Sequence, residues 1–218
     1  NRPEYEEGKQ QFIEEACALQ ELRENISVVD IRDFFEENGT AYFAMELIEG
    51  CNLRVFRKNH NPKQTLKMAL QMLFLLGSSL AEVHRFGMIH GDISPENILI
   101  TRNGSNVKLI DFGLSDTDSY SILKHPAGTL KYASPKQQVP LTTIDNKADI
   151  YSIGVILEEI IQTTHVKLPH VHKIIRRCTS EHPIQRYTST DEIIHLLHSK
   201  NKYLPYLSIL LIIILTTG

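Results

Sequence analysis

The chain has 218 residues, 42% of them hydrophobic, and a formal net charge of -3. That suits one globular domain or two small ones, and it demands neither nucleic acid nor an acidic membrane surface as a partner. Cys17, Cys51 and Cys178 lie far apart with no CxxC pair, which excludes a disulfide-rich scaffold and fits small core thiols in a reducing compartment.

In chain order, a helix is expected over 4–24, where Phe12, Ala16 and Leu19 recur at helical spacing between charged residues. Two strands, 26–35 and 40–47, follow across an Asn38-Gly39 turn. The MELIEG stretch leads into a short helix over 52–58. A long helix over 65–86 comes next, with Leu66, Leu70, Leu73, Leu76, Leu80 and Val83 on one apolar stripe and Gly87 at its end. A short strand, a polar loop and a hairpin of two strands, 98–101 and 107–110, are then predicted around an Asn103-Gly104 turn. The segment 111–135 is rich in hydroxyls, among them Ser115, Thr117, Ser119, Tyr120 and Ser121.

Downstream, DIYSIGVILEEII is a helix with almost no polar side, as expected of one running through a domain centre. Further helices are expected over 171–178 and 190–198. His165, His170 and His172 lie close together without paired-ligand spacing, so no metal site is read there. Residues 203–218 form an apolar run behind the basic HSKNK segment. The run is shorter than the roughly 20 residues of a full span. It is expected to begin a transmembrane helix, with Lys200 and Lys202 placing the preceding domain on the cytoplasmic side.

The chemistry lies in MIHGDISPENILITRNGSNVKLIDFG, which starts at Met88. Asp92, Asn97 and Asp111 all fall at strand ends, and a hairpin would bring them to one edge. Two carboxylates and an amide oxygen there suit a hard cation such as Mg²⁺, which takes oxygen ligands and is commonly shared with phosphates. The spacing His90-x-Asp92-x-x-x-x-Asn97, followed by Asp111-Phe112-Gly113, resembles the catalytic loop and DFG segment of the eukaryotic-like, bacterial-type serine/threonine protein kinases.

That resemblance implies an α+β, protein-kinase-like fold: a mostly helical C-lobe over 50–199 and a partial N-lobe over 1–49, made of one helix and a β-hairpin. It implies ATP and Mg²⁺, and transfer of the γ-phosphoryl group to Ser/Thr hydroxyls of a protein substrate. Asp92 would take the proton of the substrate hydroxyl, and Asn97 and Asp111 would hold Mg²⁺. His90 and Phe112 match buried packing residues. Glu15, in FIEEA, matches the glutamate that pairs with a lysine on the family's third strand. Met45 sits at the gatekeeper position, the main chain of Glu46 and Ile48 would bond adenine, and Leu99 would form the apolar floor beneath it. GTLKYASPK resembles the family's GT-x-x-Y-x-APE block, in which Thr129 would sit beside Asp92 and favour Ser/Thr specificity.

The chain departs from this pattern in several places. Gly91 replaces an arginine that anchors a phosphorylated activation loop. Ser94 stands where a lysine usually faces the transferred phosphate. Lys136 replaces a glutamate whose partner would be Arg186, so either Lys136 points to solvent or another acid, such as Glu181, intervenes. Only 162–170 separates the central helix from the next, leaving no room for the family's usual substrate-docking helix. Neither a glycine-rich loop nor a lysine-bearing strand precedes Glu15. The chain is therefore expected to be a piece of a longer product, poorly active and weakly nucleotide-binding alone. One missing charge stabiliser costs about 3 kcal/mol of barrier.

Two other readings stand beside this one. His-Gly-Asp followed by Asn97 is also common in small-molecule phosphotransferases of the aminoglycoside or choline kinase type. Phe112-Gly113, the GT-x-x-Y block and the DIYSIG helix weigh against that reading. A non-catalytic pseudokinase module is favoured by Gly91, Ser94 and Lys136, and opposed by the presence of Asp92, Asn97 and Asp111.

Overall fold

The computed structural model describes residues 2–112, 129–138, 145–164 and 168–200. It opens with helix α1 (Arg2–Glu21), which packs on the antiparallel hairpin β1 (Ile31–Glu37) and β2 (Thr40–Met45). The helix turns Ala16 and Leu19 inward, and its Phe12 ring meets Phe43 of β2 at 4.8 Å. Asn38 (φ 51°) and Gly39 (φ 77°) form the hairpin turn, as the Asn-Gly pair predicts. The first strand starts at Ile31 rather than 26 because the preceding segment pairs elsewhere. Ser27 O accepts from Leu109 N at 2.8 Å, and Val29 N donates to Leu109 O at 3.2 Å. That parallel bridge ties the first segment to a second sheet, β3 (Gly50–Asn52), β4 (Ile98–Thr101) and β5 (Val107–Leu109), in the order β3-β4-β5.

Helix α2 (Leu53–Asn59) follows β3 directly, its first turn capped by the Asn52 side chain. Helix α3 (Pro62–Arg85) begins with a capping box: Asn61 Oδ1 accepts from Gln64 N at 3.0 Å and Gln64 Oε1 from Asn61 N at 3.1 Å, with Pro62 in the first turn. Ala69, Met72, Leu73, Leu76, Leu80 and Val83 are its buried face. Of the described helices, α3 alone is long and apolar enough to cross a bilayer, and just over half of its apolar window is buried inside the protein (53%). It is read as a core helix. The expected anchor at 203–218 lies outside the described residues.

The central helix (Lys147–Thr164) packs between α3 and the helix Pro169–Cys178, and the last described helix, Thr190–Lys200, closes against α3. Ile150, Leu157 and Ile160 of the central helix are 0–2% exposed. Burial of each such side chain contributes about 1.5–3 kcal/mol. The short strand expected just before the catalytic loop does not form. Met88 N donates to Val83 O at the end of α3, and the amides of His90 and Gly91 are taken by a side chain. No sheet partner remains for them among the described residues.

Candidate functional site

Hairpin geometry sets the site. Ile98 of β4 pairs with Leu109 of β5, and one step further Ile110 N donates to Asn97 O at 3.1 Å. Asn97 and Asp111 therefore leave the sheet at the same end. The Asn97 amide donates to the Asp92 carbonyl at 2.9 Å and to Asp92 Oδ2 at 3.1 Å. Both partners are acceptors, so the amide atom facing them is the nitrogen, and Oδ1 is left for other work. Asp111 is exposed and left-handed (φ 54°), a conformation that is strained for any residue with a Cβ.

His90 joins the two sides of the site. Its ring is fully buried, and burial holds its pKa below the ordinary histidine value, so it is neutral. Nε2–H donates to the Ile110 carbonyl at 3.1 Å, and Nδ1 accepts from the Asp92 amide at 3.3 Å. One tautomer satisfies both contacts. The Phe112 ring packs against His90 at 4.5 Å. The residue after Ile110 is Asp111, so a single ring fixes the main chain beside both carboxylates.

Asp149, at the start of the central helix, gathers the loop from below. It is wholly buried, and its oxygens accept from His90 N at 3.0 Å, Gly91 N at 2.8 Å and His84 Nε2 at 2.8 Å. Gly91 is left-handed (φ 75°), which glycine adopts without penalty where the family's arginine would not. On the other side, Gln137 Nε2 donates to Gly91 O at 2.6 Å while its Oε1 accepts from Ser134 N at 2.9 Å. The sequence picks out Asp149 only as part of a helix signature, and it gives no hint of His84 or Gln137. These contacts span 46 to 65 residues, which no local spacing reveals.

The remaining expected site residues are spread around this centre. Ser94 is buried, and its carbonyl accepts from Asn97 N at 3.1 Å. Strand alternation sends Ile98 and Ile100 into the core and leaves half-buried Leu99 on the opposite face. Met45, at the end of β2, is 47% exposed. Among the described residues, neither the Glu46 carbonyl nor the Ile48 amide has a hydrogen-bond partner, so an acceptor and a donor two residues apart stand open. The Glu46 side chain turns away: it pairs with Lys108 Nζ and accepts from Asp30 N at 2.9 Å. Burial alone would raise its pKa, but Lys108 and the Asp30 amide bring it below the usual carboxylate value. Glu15 lies in α1 and Thr129 in a 3-10 turn (Thr129–Lys131), and their side chains are outside the described residues, as are Gly113 and 114–128.

Arg186 is not paired with a Glu181 carboxylate. It is 1% exposed, and its guanidinium donates to three main-chain carbonyls: Ser180 at 2.8 Å, Lys147 at 3.0 Å and Glu181 at 3.2 Å. It also stacks over Tyr151 at 4.8 Å. Glu181 takes part through its carbonyl, and the corner is held by neutral acceptors rather than by the family's carboxylate.

The donor set fits Mg²⁺: a carboxylate at 111 and an amide oxygen at 97 are hard ligands leaving one sheet edge together. Among the described residues there is no cluster of three His, Cys, Asp or Glu side chains able to hold a metal, so a cation here would rely on this pair and on phosphate oxygens.

Residues 1–199 match the family model described as "Protein kinase domain". The serine/threonine-protein kinase PrkC of Bacillus subtilis is 29% identical over 84% of this chain and 32% of its own length. PknL of Mycobacterium tuberculosis is 36% identical over 71% of this chain and 39% of its own. The chain thus spans about a third of the length of these curated relatives. Among solved structures, the apo form of PpkA-294 superposes with a TM-score of 0.71 at 24% identity, covering 88% of this chain and 75% of that one. The PknI kinase domain of Mycobacterium tuberculosis gives 0.63 at 17% identity, covering 80% and 71%. The match across 1–199 and the catalytic-loop geometry agree: this chain belongs to the protein kinase family.

Proposed function

We propose that this chain transfers the γ-phosphoryl group of ATP to Ser/Thr hydroxyls of proteins, with 1–49 as the smaller lobe and 50–199 as the larger. The observation that carries the reading is the Asn97 amide, fixed on Asp92 by its nitrogen and turned with Asp111 out of one hairpin end. Asp92 accepts the substrate hydroxyl's hydrogen bond and takes its proton. Asn97 Oδ1 and the Asp111 carboxylate would hold Mg²⁺, whose charge would offset that of the phosphates. The open Glu46 carbonyl and Ile48 amide receive the adenine edge, with Leu99 beneath it and Met45 at its back. Thr129 positions the acceptor hydroxyl, Ser94 occupies the place of the phosphate-facing lysine, and Glu15 orients a lysine if one is supplied.

No specific observation favours a small-molecule acceptor or a non-catalytic module. The test is phosphate incorporation into a generic Ser/Thr protein substrate. Asp92→Asn and Asp111→Ala are each expected to lower the rate at least 10²-fold. Unchanged transfer in both variants would refute the roles. Residues 203–218 are further read as a membrane anchor that holds the kinase at the inner face of the cell membrane. Deleting them is expected to move the protein to the soluble fraction, and continued sedimentation with membranes would contradict that reading.

A further inference from the structure

Glu159, on the central helix, accepts hydrogen bonds from three side chains at once. Arg57 of α2 and Lys131 of the 3-10 turn both pair with it, and the Tyr132 hydroxyl donates at 3.1 Å. Its side chain is only 22% exposed. Burial would raise its pKa, but the bonds from Lys131 and Arg57 bring it below the usual carboxylate value, so it stays ionised. Burial and the neighbouring Glu159 charge push the Tyr132 hydroxyl up to about 12.

A carboxylate offers about four lone-pair sites, and three here are filled by the chain's own donors. Glu159 therefore has about one site left for an incoming cation. Its partners are open to an incoming anion. Lys131 is 54% exposed and has two of its three N–H donors unspent on Glu159. Arg54 is 45% exposed and pairs with Glu96.

These groups stand next to the catalytic loop. Arg54 N donates to Pro95 O at 3.3 Å, and Glu96 directly precedes Asn97. Lys131 lies two residues after Thr129, and Gln137 ties the segment behind it to Gly91. Within this cluster, apart from Asp92 and Asp111 at the reacting centre itself, Arg54, Arg57 and Lys131 outnumber Glu96 and Glu159 by one charge.

We infer that the Lys131–Arg54 rim selects protein substrates carrying Asp or Glu near the acceptor hydroxyl and rejects basic ones. This rests on the phosphoryl-transfer reading above but can be tested apart from it. Peptides with acidic, neutral or basic flanks are made in two forms, one with Thr and one with Ala at the acceptor. Binding of the Ala forms is followed by fluorescence anisotropy, and phosphorylation of the Thr forms by phosphate incorporation. The expected result is a roughly fivefold preference for acidic over neutral flanks per exposed pair formed, weakening as salt is raised. Lys131→Gln abolishes the preference, and Lys131→Glu reverses it. Equal binding of acidic and basic peptides, or a preference that survives Lys131→Glu, overturns the proposal. Acidic peptides bound selectively but never phosphorylated would uphold the rim and overturn the phosphoryl-transfer reading instead.

Discussion

Replacing Asp149 with asparagine removes one carboxylate oxygen from a wholly buried position that three donors share. Oδ2 accepts from His90 N and His84 Nε2, and Oδ1 accepts from Gly91 N. An asparagine keeps at best the first two contacts, and its NH₂ then faces the Gly91 amide. The lost charge-assisted bond is worth about 2 kcal/mol, and weakening the other two to neutral strength adds roughly 0.5 kcal/mol each. The total is about 3 kcal/mol of a domain stability of order 5–15 kcal/mol. With a urea dependence of about 2 kcal/mol per molar, the unfolding midpoint followed by circular dichroism falls by about 1.5 M. Asp191→Asn, which alters an exposed first-turn carboxylate of the last described helix and its 3.8 Å pair with Arg85, moves the midpoint by less than about 0.5 M. A loss below about 0.5 M for Asp149→Asn would refute the idea that this carboxylate holds the catalytic loop.

Three further outcomes follow from buried polar groups. Arg186→Ala strands the Ser180, Lys147 and Glu181 carbonyls and opens a cavity. It is expected to lower stability by at least about 3 kcal/mol, or roughly 10 °C in Tm by calorimetry, with Arg186→Lys recovering only part of the loss. His90 has a folded pKa below its unfolded value of about 6.5, so the unfolded chain binds the extra proton first. Its contribution is intact above that value and is lost as pH falls below it, at up to about 1.4 kcal/mol per pH unit. His90→Phe flattens this slope by one proton in denaturation at pH 5 to 6.5, and an unchanged slope would count against a buried neutral ring. Lys108→Met removes the cation bonded to Glu46 and loosens the Glu46–Ile48 main chain. Adenosine affinity by titration calorimetry is expected to fall about fivefold, and no change would separate the Glu46–Lys108 pair from nucleotide binding.

Local signals made most of the scaffold legible. The Asn38-Gly39 turn, the 98–101 strand and the stripe on α3 follow from backbone preference and periodicity, which act within a few residues. The group at 92, 97 and 111 is legible because Asn97 and Asp111 leave one hairpin at the same end and Asp92 lies five residues before Asn97. What holds that group is not. Asp149 and His84 reach the loop from two different helices, and Gln137 reaches it from a turn. Arg186 shows a second limit: sequence offers charges as partners, but the fold supplied carbonyls. The expected 26–35 strand overruns the hairpin because residues 27–29 do pair, but with Leu109 rather than with β2.

The central claim is that Asn97 and Asp111 hold one divalent cation facing a triphosphate. Nucleotide affinity measured by titration calorimetry with Mg²⁺, and again with the metal chelated, tests it directly. ATP is expected to bind more tightly with Mg²⁺ in the unaltered chain. Asp111→Ala should erase that gain while leaving adenosine affinity intact. A Mg²⁺ enhancement that persists in Asp111→Ala would contradict the account.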